Sequence, residues 1–256
     1  MISLKNETDL VHLRKAGKIV ADVLMMIGDI VRPGLDTLTL DERAEEYILS
    51  SGGKPAFKGY RVPGIPRPFP GTLCVSVNEE IVHGIPARER RLEEGDIVSV
   101  DVGVSIEGYY GDAAYTYPVG DISPERADLV DVTRESLQRA IQAAREGATL
   151  GDIGFSVESF VIPRGYGIVR DYAGHGIGRN LHEPPQVPNY GSPGRGVTLK
   201  SGMTLAIEPM IMSGSERVRT LEDKWTVVTA DGSDAAHFEK TIVVTGGDPE
   251  VITPWQ

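Results

Sequence analysis

Apolar residues recur at helical spacing near the start of the chain. Between Thr8 and Val31 they follow a period close to 3.6 residues, and Pro33-Gly34 ends the pattern, so a long amphipathic helix is predicted. The segment from Thr39 to Glu42 has the pattern of a capping box, in which the Thr hydroxyl and the Glu carboxylate would satisfy free backbone amides. It predicts the start of a second helix that reaches about Ser51.

The same order of elements returns in the second part of the chain. A helix is predicted from Ser123-Pro124 to Arg145, and Thr149 to Asp152 opens another that ends near Pro163. We therefore expect one catalytic domain, 1–256, with an internal duplication whose halves are about 1–120 and 121–256. A site at the junction of the halves is expected.

Alternating strand patterns follow each helix pair. Ile97 to Val104 and Tyr109 to Val119 flank the turn signal Glu107-Gly108. Trp225 to Thr229 and Ala236 to Thr245 flank Asp231-Gly232 in the same way. Two hairpins are therefore predicted, within a sheet that is at least partly antiparallel.

Composition narrows the classes of function. With 256 residues and 40% hydrophobic content the chain can bury a substantial core, and its net charge of -11 argues against a nucleic-acid substrate. A single cysteine, Cys74, excludes an intrachain disulfide and favours a reducing compartment, so a cytoplasmic location is expected. The sequence contains no apolar run long enough for a membrane span.

Four acids end or follow apolar strand patterns. Asp101 and Glu208 each lie six residues after a glycine, Gly95 and Gly202. Asp112 lies on the far side of the first hairpin, so it should come close to facing Asp101, and two buried like charges there favour binding of a cation. Each acid alone could equally be a solvated side chain or part of an ion pair.

Glu208 and Glu239 occur in segments that are otherwise apolar, and an ion pair with Lys240 or an arginine is the simple alternative for either acid. That alternative weakens when the charges are added. Four carboxylates in one cleft carry -4 and two divalent ions carry +4, which leaves room for a bridging hydroxide. A pair of divalent ions is therefore predicted.

His175 lies in the glycine-rich segment Ala173 to Gly178, where glycines permit close backbone approach, and it is the predicted imidazole ligand. The same segment resembles a phosphate loop, but no Lys-Ser/Thr follows it, so nucleotide binding is rejected. Oxygen-rich ligation with one imidazole favours Mn(II), Fe(II) or Co(II) over a closed structural zinc site. Two such ions would activate a shared water for amide hydrolysis, and Glu208 is placed to move the proton.

Four segments together resemble the type I methionine aminopeptidases, and the resemblance covers nearly the whole chain. They are Asn78 to Pro86, Gly174 to Gly178, Ala206 to Met210 and Asp223 to Val227. The resemblance implies the α+β pita-bread fold, in which two pseudosymmetric halves with a curved, mainly antiparallel sheet and outer helices enclose a dinuclear site. It implies two divalent ions, Fe(II), Mn(II) or Co(II), with Zn(II) as a further candidate.

The resemblance also assigns roles to residues of this sequence. It makes Asp101, Asp112, His175, Glu208 and Glu239 the metal ligands, with Asp112 and Glu239 bridging and Glu208 doubling as proton shuttle. His83 would contact the scissile amide or the substrate amine, and His182 would bind the carbonyl oxygen. His237 shares a strand face with Glu239, and an indirect or surface role is expected for it.

A slot for the methionine side chain is implied at five apolar positions, namely Tyr60, Phe69, Cys74, Leu181 and Trp225. Plain core packing is the alternative for each of them. Arg61 to Pro68 resembles an insertion in the pocket loop, within a proline-rich segment from Phe57 to Pro70 that should lack regular structure. Phe57 and Leu181 occupy positions at which the family often has cysteine and phenylalanine, respectively.

The expected activity is removal of the initiator methionine from nascent polypeptides with a small second residue. Related X-Pro aminopeptidases usually carry a large extra N-terminal domain, for which this chain has no length, and the type II enzymes carry an insertion between the counterparts of His182 and Glu208. A non-catalytic binding protein of the same fold is the alternative of another class. Nascent N-terminal peptides, transient contact with the ribosome and a monomeric state complete the expectations.

Overall fold

A computed structural model describes residues 2–255 of the chain. Four α-helices pack against antiparallel sheets: α1 (Glu7–Ile30), α2 (Thr37–Ser50), α3 (Pro124–Ala143) and α4 (Leu150–Val161), the last followed by a 3-10 turn, Ile162–Arg164. Within the described residues, no helix combines the length and apolarity that crossing a bilayer would need.

Fifteen strands make up the sheets of residues 2–255. In chain order they are β1 (Lys54–Pro55), β2 (Leu73–Val77), β3 (Glu80–Val82), β4 (Ile97–Ile106), β5 (Tyr109–Pro118), β6 (Gly167–Ile168), β7 (Gly174–Gly176), β8 (Glu183–Val187), β9 (Thr204–Ile207), β10 (Met210–Met212), β11 (Val218–Thr220), β12 (Val227–Thr229), β13 (Ala235–His237), β14 (Lys240–Val243) and β15 (Glu250–Val251).

The strands form four sheets whose pairings are all antiparallel within the described residues. In one sheet, β4 pairs with β5 on one side and with β1 and β2 on the other. A second has the order β15-β14-β9-β7-β8, and two three-stranded sheets have the orders β13-β10-β6 and β11-β12-β3. The antiparallel arrangement expected from the first hairpin is confirmed.

The helix starts confirm three of the predicted boundaries to within one residue and correct the fourth. Ser123 caps α3, and Thr149 with Asp152 forms the capping box of α4. The capping box at Thr39, however, is wrong. Helix α2 begins two residues earlier at Thr37, and Asp36 caps it by accepting the Thr39 N–H at 3.0 Å. The Thr39 hydroxyl donates to the same carboxylate, so it is unavailable as a cap.

The predicted second hairpin around Asp231-Gly232 is also wrong. Strand β12 pairs with β11 and β3, and β13 pairs with β10. The Asp231 carboxylate accepts backbone N–H groups from both Ser215 and Ser233, which ties the turn to a neighbouring loop. The turn signal was correct, but it joins strands of different sheets.

Matched hydrogen bonds join the turn between the two helices of each pair to the segment that precedes β4 or β9. Leu92 accepts from the Gly34 N–H and donates to the Leu35 carbonyl. Leu199 accepts from the Gly147 N–H and donates to the Ala148 carbonyl in the same way. These contacts are what an internal duplication would leave, and the duplication itself stays a prediction.

Two glycines let α1 lie directly on β5. A Cβ on Gly111 would come 2.9 Å from the Gly17 nitrogen, and a Cβ on Gly17 would overlap the carbonyl oxygen of Ile252. The helix backbone therefore touches the strand and the C-terminal segment without intervening side chains. This close approach fixes the depth at which α1 lies over the β4-β5 pair.

Gly17→Ala should destabilise the protein, even though alanine is favoured over glycine in a helix by ~1 kcal/mol. The overlap with the Ile252 carbonyl should outweigh that gain and give a net loss of about 1–2 kcal/mol in the free energy of unfolding, measured by urea denaturation. Val11→Ala, at an exposed position of the same helix, should change stability by less than about 0.5 kcal/mol. A more stable Gly17→Ala variant would contradict the packing argument.

Candidate active site

The five side chains predicted as metal ligands come together from separate strands. Asp101 lies on β4, Asp112 on β5 and His175 on β7, while Glu208 follows β9 directly and Glu239 lies between β13 and β14. The Nε2 atom of His175 is 3.7 Å from a carboxylate oxygen of Asp112 and 3.7 Å from one of Glu208. Ligand atoms of Asp112, His175 and Glu239 lie within 4.8 Å of one another.

Strand register explains how the acids share one face. Asp101 is paired with Ala114, and Asp112 with Gly103, so the two acids are diagonal neighbours and do not face each other directly. Positions two apart on a strand point to the same side, which sends both carboxylates into the cleft. The Glu239 N–H donates to the Ala114 carbonyl at 3.0 Å, and this bond brings the fourth acid beside β5.

Glycines on both sides of His175 allow its backbone to lie directly against two other segments. A Cβ on Gly174 would overlap the Ala206 carbonyl oxygen, and a Cβ on Gly176 would overlap that of Pro184. The Nδ1 atom of His175 lies 2.9 Å from the carbonyl oxygen of Gly176, which fixes Nδ1 as the protonated nitrogen. The unprotonated Nε2 therefore faces Asp112 and Glu208 with a free lone pair.

The electrostatics of the cluster call for a cation. Burial raises the pKa of Asp101 to about 7. Burial and then the neighbouring carboxylates raise the pKa of Asp112, Glu208 and Glu239 well above the ordinary range. Within residues 2–255 no lysine or arginine forms an ion pair with any of these four acids, and one oxygen of each of Asp101, Asp112 and Glu239 has no hydrogen-bond partner. Such orphaned buried oxygens fit divalent metal binding.

The ion pair considered for Lys240 does not form. Its ammonium donates to the backbone carbonyl of Trp255 at 3.1 Å and lies 3.9 Å from the centre of that indole ring. The Trp255 indole N–H in turn donates to the Glu239 carbonyl at 3.0 Å. The C-terminal segment thus supports the backbone of Glu239 and leaves its carboxylate free.

His237 is not at the surface, which corrects part of the expectation for it. It is 2% exposed, and its Nε2 atom lies 3.9 Å from Glu208 and 4.0 Å from Glu239 without a hydrogen-bond partner. Burial, followed by His83, lowers its pKa to about 3, so the ring is neutral beside the two acids. The alternation of strand residues had placed it on the Glu239 face, as observed.

One cavity of about 510 Å³ brings all twelve predicted site residues together. Its floor carries the four acids and the imidazole described above, and its walls include the predicted side chains His83, His182, Tyr60, Phe69, Cys74, Leu181 and Trp225. Sequence reasoning missed Val62, Tyr172 and Gln186, which also line the cavity. Val62 belongs to the irregular loop, and no local pattern marked Tyr172 or Gln186.

The two remaining histidines lie on the walls. The Tyr60 hydroxyl oxygen is 2.8 Å from His182 Nδ1, and the rings of His182 and His175 are 4.3 Å apart. His83 has a left-handed backbone with φ of 59°, which is costly for a residue with a side chain and is found at functional sites. Its ring meets those of Tyr172 and Trp225 edge-on.

Comparison with known proteins agrees with this geometry. The family model "Metallopeptidase family M24" matches residues 11–246. The chain belongs to metallopeptidase family M24. A similar relative is a methionine aminopeptidase of Clostridium acetobutylicum, which is 49% identical over 99% of both chains. Membership in this family and the buried Asp/His/Glu cluster together indicate divalent metal binding.

Solved structures of M24 proteins have the same fold. A methionine aminopeptidase from Thermotoga maritima matches with a TM-score of 0.95 and 47% identity, and the match covers 99% of both chains. A prolidase from Pyrococcus horikoshii matches with a TM-score of 0.78 and 22% identity, and it covers 99% of this chain but 64% of that one. The expected pita-bread fold is confirmed, and the prolidase likeness extends to the fold alone.

The metal-free protein should lose stability as the pH rises above about 7. The pKa of Asp112, Glu208 and Glu239 is raised in the fold, so the unfolded chain releases their protons first and gains from rising pH. Histidines do not oppose this trend, because those of the site have lowered pKa values and are neutral in both states above pH 7.

The measurement is the melting temperature in chelator across this pH range. Glu239→Gln removes one of the titrating acids and should flatten the slope while raising the melting temperature of the metal-free protein. A slope of the opposite sign in wild type would show that the acids are already ionised and paired in the fold.

Proposed function

We propose that this enzyme removes the N-terminal methionine from polypeptides whose second residue is small. The observation that carries the proposal is one cavity in which four unpaired carboxylates and an imidazole adjoin an apolar wall. The naming of the Clostridium acetobutylicum relative as a methionine aminopeptidase, at 49% identity over nearly full length, supports the choice of substrate. The complete set of candidate ligands speaks against a non-catalytic binding protein.

Two divalent ions are proposed in the cluster, where Asp101, Asp112, His175, Glu208 and Glu239 would hold them. Fe(II), Mn(II) or Co(II) suits this oxygen-rich donor set, with Zn(II) as a further candidate. When bound, the ions supply Lewis-acid activation of the scissile carbonyl and of the attacking water. The negative charge of the four acids matches the charge of two such ions.

The residues around the cluster would then transfer protons and orient the substrate. Glu208 would accept the proton of the attacking water and deliver it to the leaving amine, since its carboxylate lines the cavity in which the scissile bond would lie. Burial lowers the pKa of His83 to about 4 and also lowers that of His182, so both rings are neutral donors at pH 7. His83 would contact the scissile amide, and His182 the carbonyl oxygen on which charge develops.

The tautomer of His182 follows from its partner. Burial raises the pKa of Tyr60, so the phenol keeps its proton, and we propose that it donates a hydrogen bond to His182 Nδ1, 2.8 Å away. The proton of the imidazole then resides on Nε2, where it is free to be donated to a substrate. Tyr60 thus sets the direction in which His182 donates.

The methionine side chain would bind against the apolar wall. Phe69, Cys74, Leu181 and Trp225 are each at least nine-tenths buried, and Trp225 is fixed by an indole hydrogen bond of 3.1 Å to the Arg67 carbonyl. An unbranched thioether fills such a pocket without leaving a polar group unpaired. The loop that carries Arg67 thereby helps to shape the pocket.

The cellular setting is proposed from the substrate. N-terminal peptides of nascent proteins would be met at the ribosome, so transient ribosome contact, a cytoplasmic location and a monomeric state are proposed together. A single buried cysteine, Cys74, is compatible with a reducing compartment.

Peptide assays on the metal-loaded protein test the function. Met-Ala-Ser should be cleaved after the first residue, while a peptide with an X-Pro bond and no N-terminal methionine should not. Glu208→Gln should lower kcat on Met-Ala-Ser by about 10²–10⁴-fold because the proton shuttle is lost. Preference for the X-Pro peptide would reject the methionine assignment, and absence of turnover with every divalent metal would favour the binding protein.

Tyr60→Phe tests the assignment of the His182 tautomer. Loss of the phenol lets the imidazole proton move to Nδ1, so kcat on Met-Ala-Ser should fall about 10-fold while KM changes little. Tyr47→Phe removes a hydroxyl on helix α2 that donates to Asp22 of helix α1, and this change should leave both constants unchanged. Unchanged kcat in Tyr60→Phe would mean that the Tyr60 hydroxyl does not orient His182.

A further inference from the structure

Lys5 is an almost fully buried lysine at the edge of the active site. Its side chain is 5% exposed, and its ammonium lies 2.7 Å from Glu183 Oε2, whose side chain is 11% exposed. Lysines are rarely buried without a partner, because an unpaired ammonium is costly to remove from water. Glu183 is the residue next to His182, and it lines the same cavity.

The Glu183 carboxylate organises the loop that carries His182. Its second oxygen accepts the backbone N–H of Arg179 at 2.8 Å and that of Asn180 at 3.1 Å. Leu181 and His182 lie between these donors and Glu183 itself, so the carboxylate closes a tight turn around them. Although burial alone would raise it, the bonds from Lys5 and the two backbone groups hold the pKa of Glu183 below its ordinary value.

The backbone of Lys5 is fixed on the other side by the turn that precedes β9. The Lys5 N–H donates to the Gly202 carbonyl at 2.7 Å, and Glu208 follows six residues later. A Cβ on Gly202 would lie 2.8 Å from the Lys5 carbonyl oxygen, and a Cβ on Gly178 would lie 2.5 Å from Lys5 Cε. Lys5 is therefore held between the His182 loop and the strand that leads to Glu208.

We propose that Lys5 is a positioning residue for His182. It acts through Glu183, and it fixes the donor nitrogen of His182 relative to the acids on β4, β5 and β9. Loss of the ammonium would leave the Glu183 carboxylate buried without its cation, and the carboxylate would turn to water and release the loop. The acids themselves make no contact with Lys5, so metal binding should survive the change.

The proposal rests on the proposed function for its kinetic test, which is a double-mutant cycle on Met-Ala-Ser. Lys5→Met should lower kcat at least 10-fold with little change in KM and in metal affinity measured by calorimetry. His182→Ala should cause a similar or larger loss, and the double variant should be no worse than His182→Ala alone. Losses that multiply in the double variant would overturn the proposal, because Lys5 would then act independently of His182.

Lys15→Met is the matched control. Lys15, on helix α1, forms an ion pair of 2.9 Å with Glu107 in the turn between β4 and β5, and both side chains are about half exposed. This variant should keep wild-type kcat, since exposed pairs contribute little. Glu183→Gln offers a second route to the same loss should Lys5→Met fold poorly, and it should again be non-additive with His182→Ala.

A measurement without turnover separates this inference from the proposed function. In ¹H–¹⁵N spectra of the imidazoles, the His182 signal, assigned with His182→Ala, should shift or broaden in Lys5→Met while that of His175 keeps its position. The same signals should be unchanged in Lys15→Met. An unshifted His182 in Lys5→Met refutes the positioning role even where wild type proves inactive on methionyl peptides, which would refute the function alone.

Discussion

Repulsion among four buried carboxylates is the constraint on which this structure depends. Asp101, Asp112, Glu208 and Glu239 come from four segments and meet without a lysine or arginine among the described residues. Left alone, such a cluster lowers stability, and the rest of the chain holds it together through a large core that supports β4, β5, β9 and β14. The fold therefore keeps in place a set of ligands that only cations make favourable.

The supports of the site are mostly backbone contacts. Reciprocal hydrogen bonds between Ala114 and Glu239 join the two acid-bearing sheets, and the Trp255 indole donates to the Glu239 carbonyl from behind. Glycines at positions 174 and 176 let β7 approach its neighbours until their carbonyl oxygens touch its Cα atoms. Because these contacts do not involve the carboxylates, ligand geometry is set independently of ligand charge.

The sequence predicted what depends on local pattern and on residue chemistry. The four helices and the hairpin of β4 and β5 follow from periodicity, and the acids stood out because each was polar in an apolar strand. What escaped prediction depends on tertiary pairing. Asp36, and not Thr39, caps α2, because a β-bridge with Arg91 holds Asp36 at the position just before the helix. The turn at Asp231 joins different sheets, and the cavity residue Tyr172 is placed by tertiary contacts, among them the ring of His83.

Burial acts on the two kinds of titratable group in opposite directions, and this explains how one cavity can serve both ligation and hydrogen bonding. It raises the pKa of the carboxyls and lowers that of His83, His175 and His182, so every group in the metal-free cleft tends toward neutrality. Binding of cations reverses the first effect, since it favours carboxylates. It leaves the second in force, since the proposed ligation through His175 Nε2 requires a neutral imidazole, and His182 can donate from its neutral form as well. The histidines are therefore expected to be neutral with or without cations, and only the acids are expected to change their charge when cations bind.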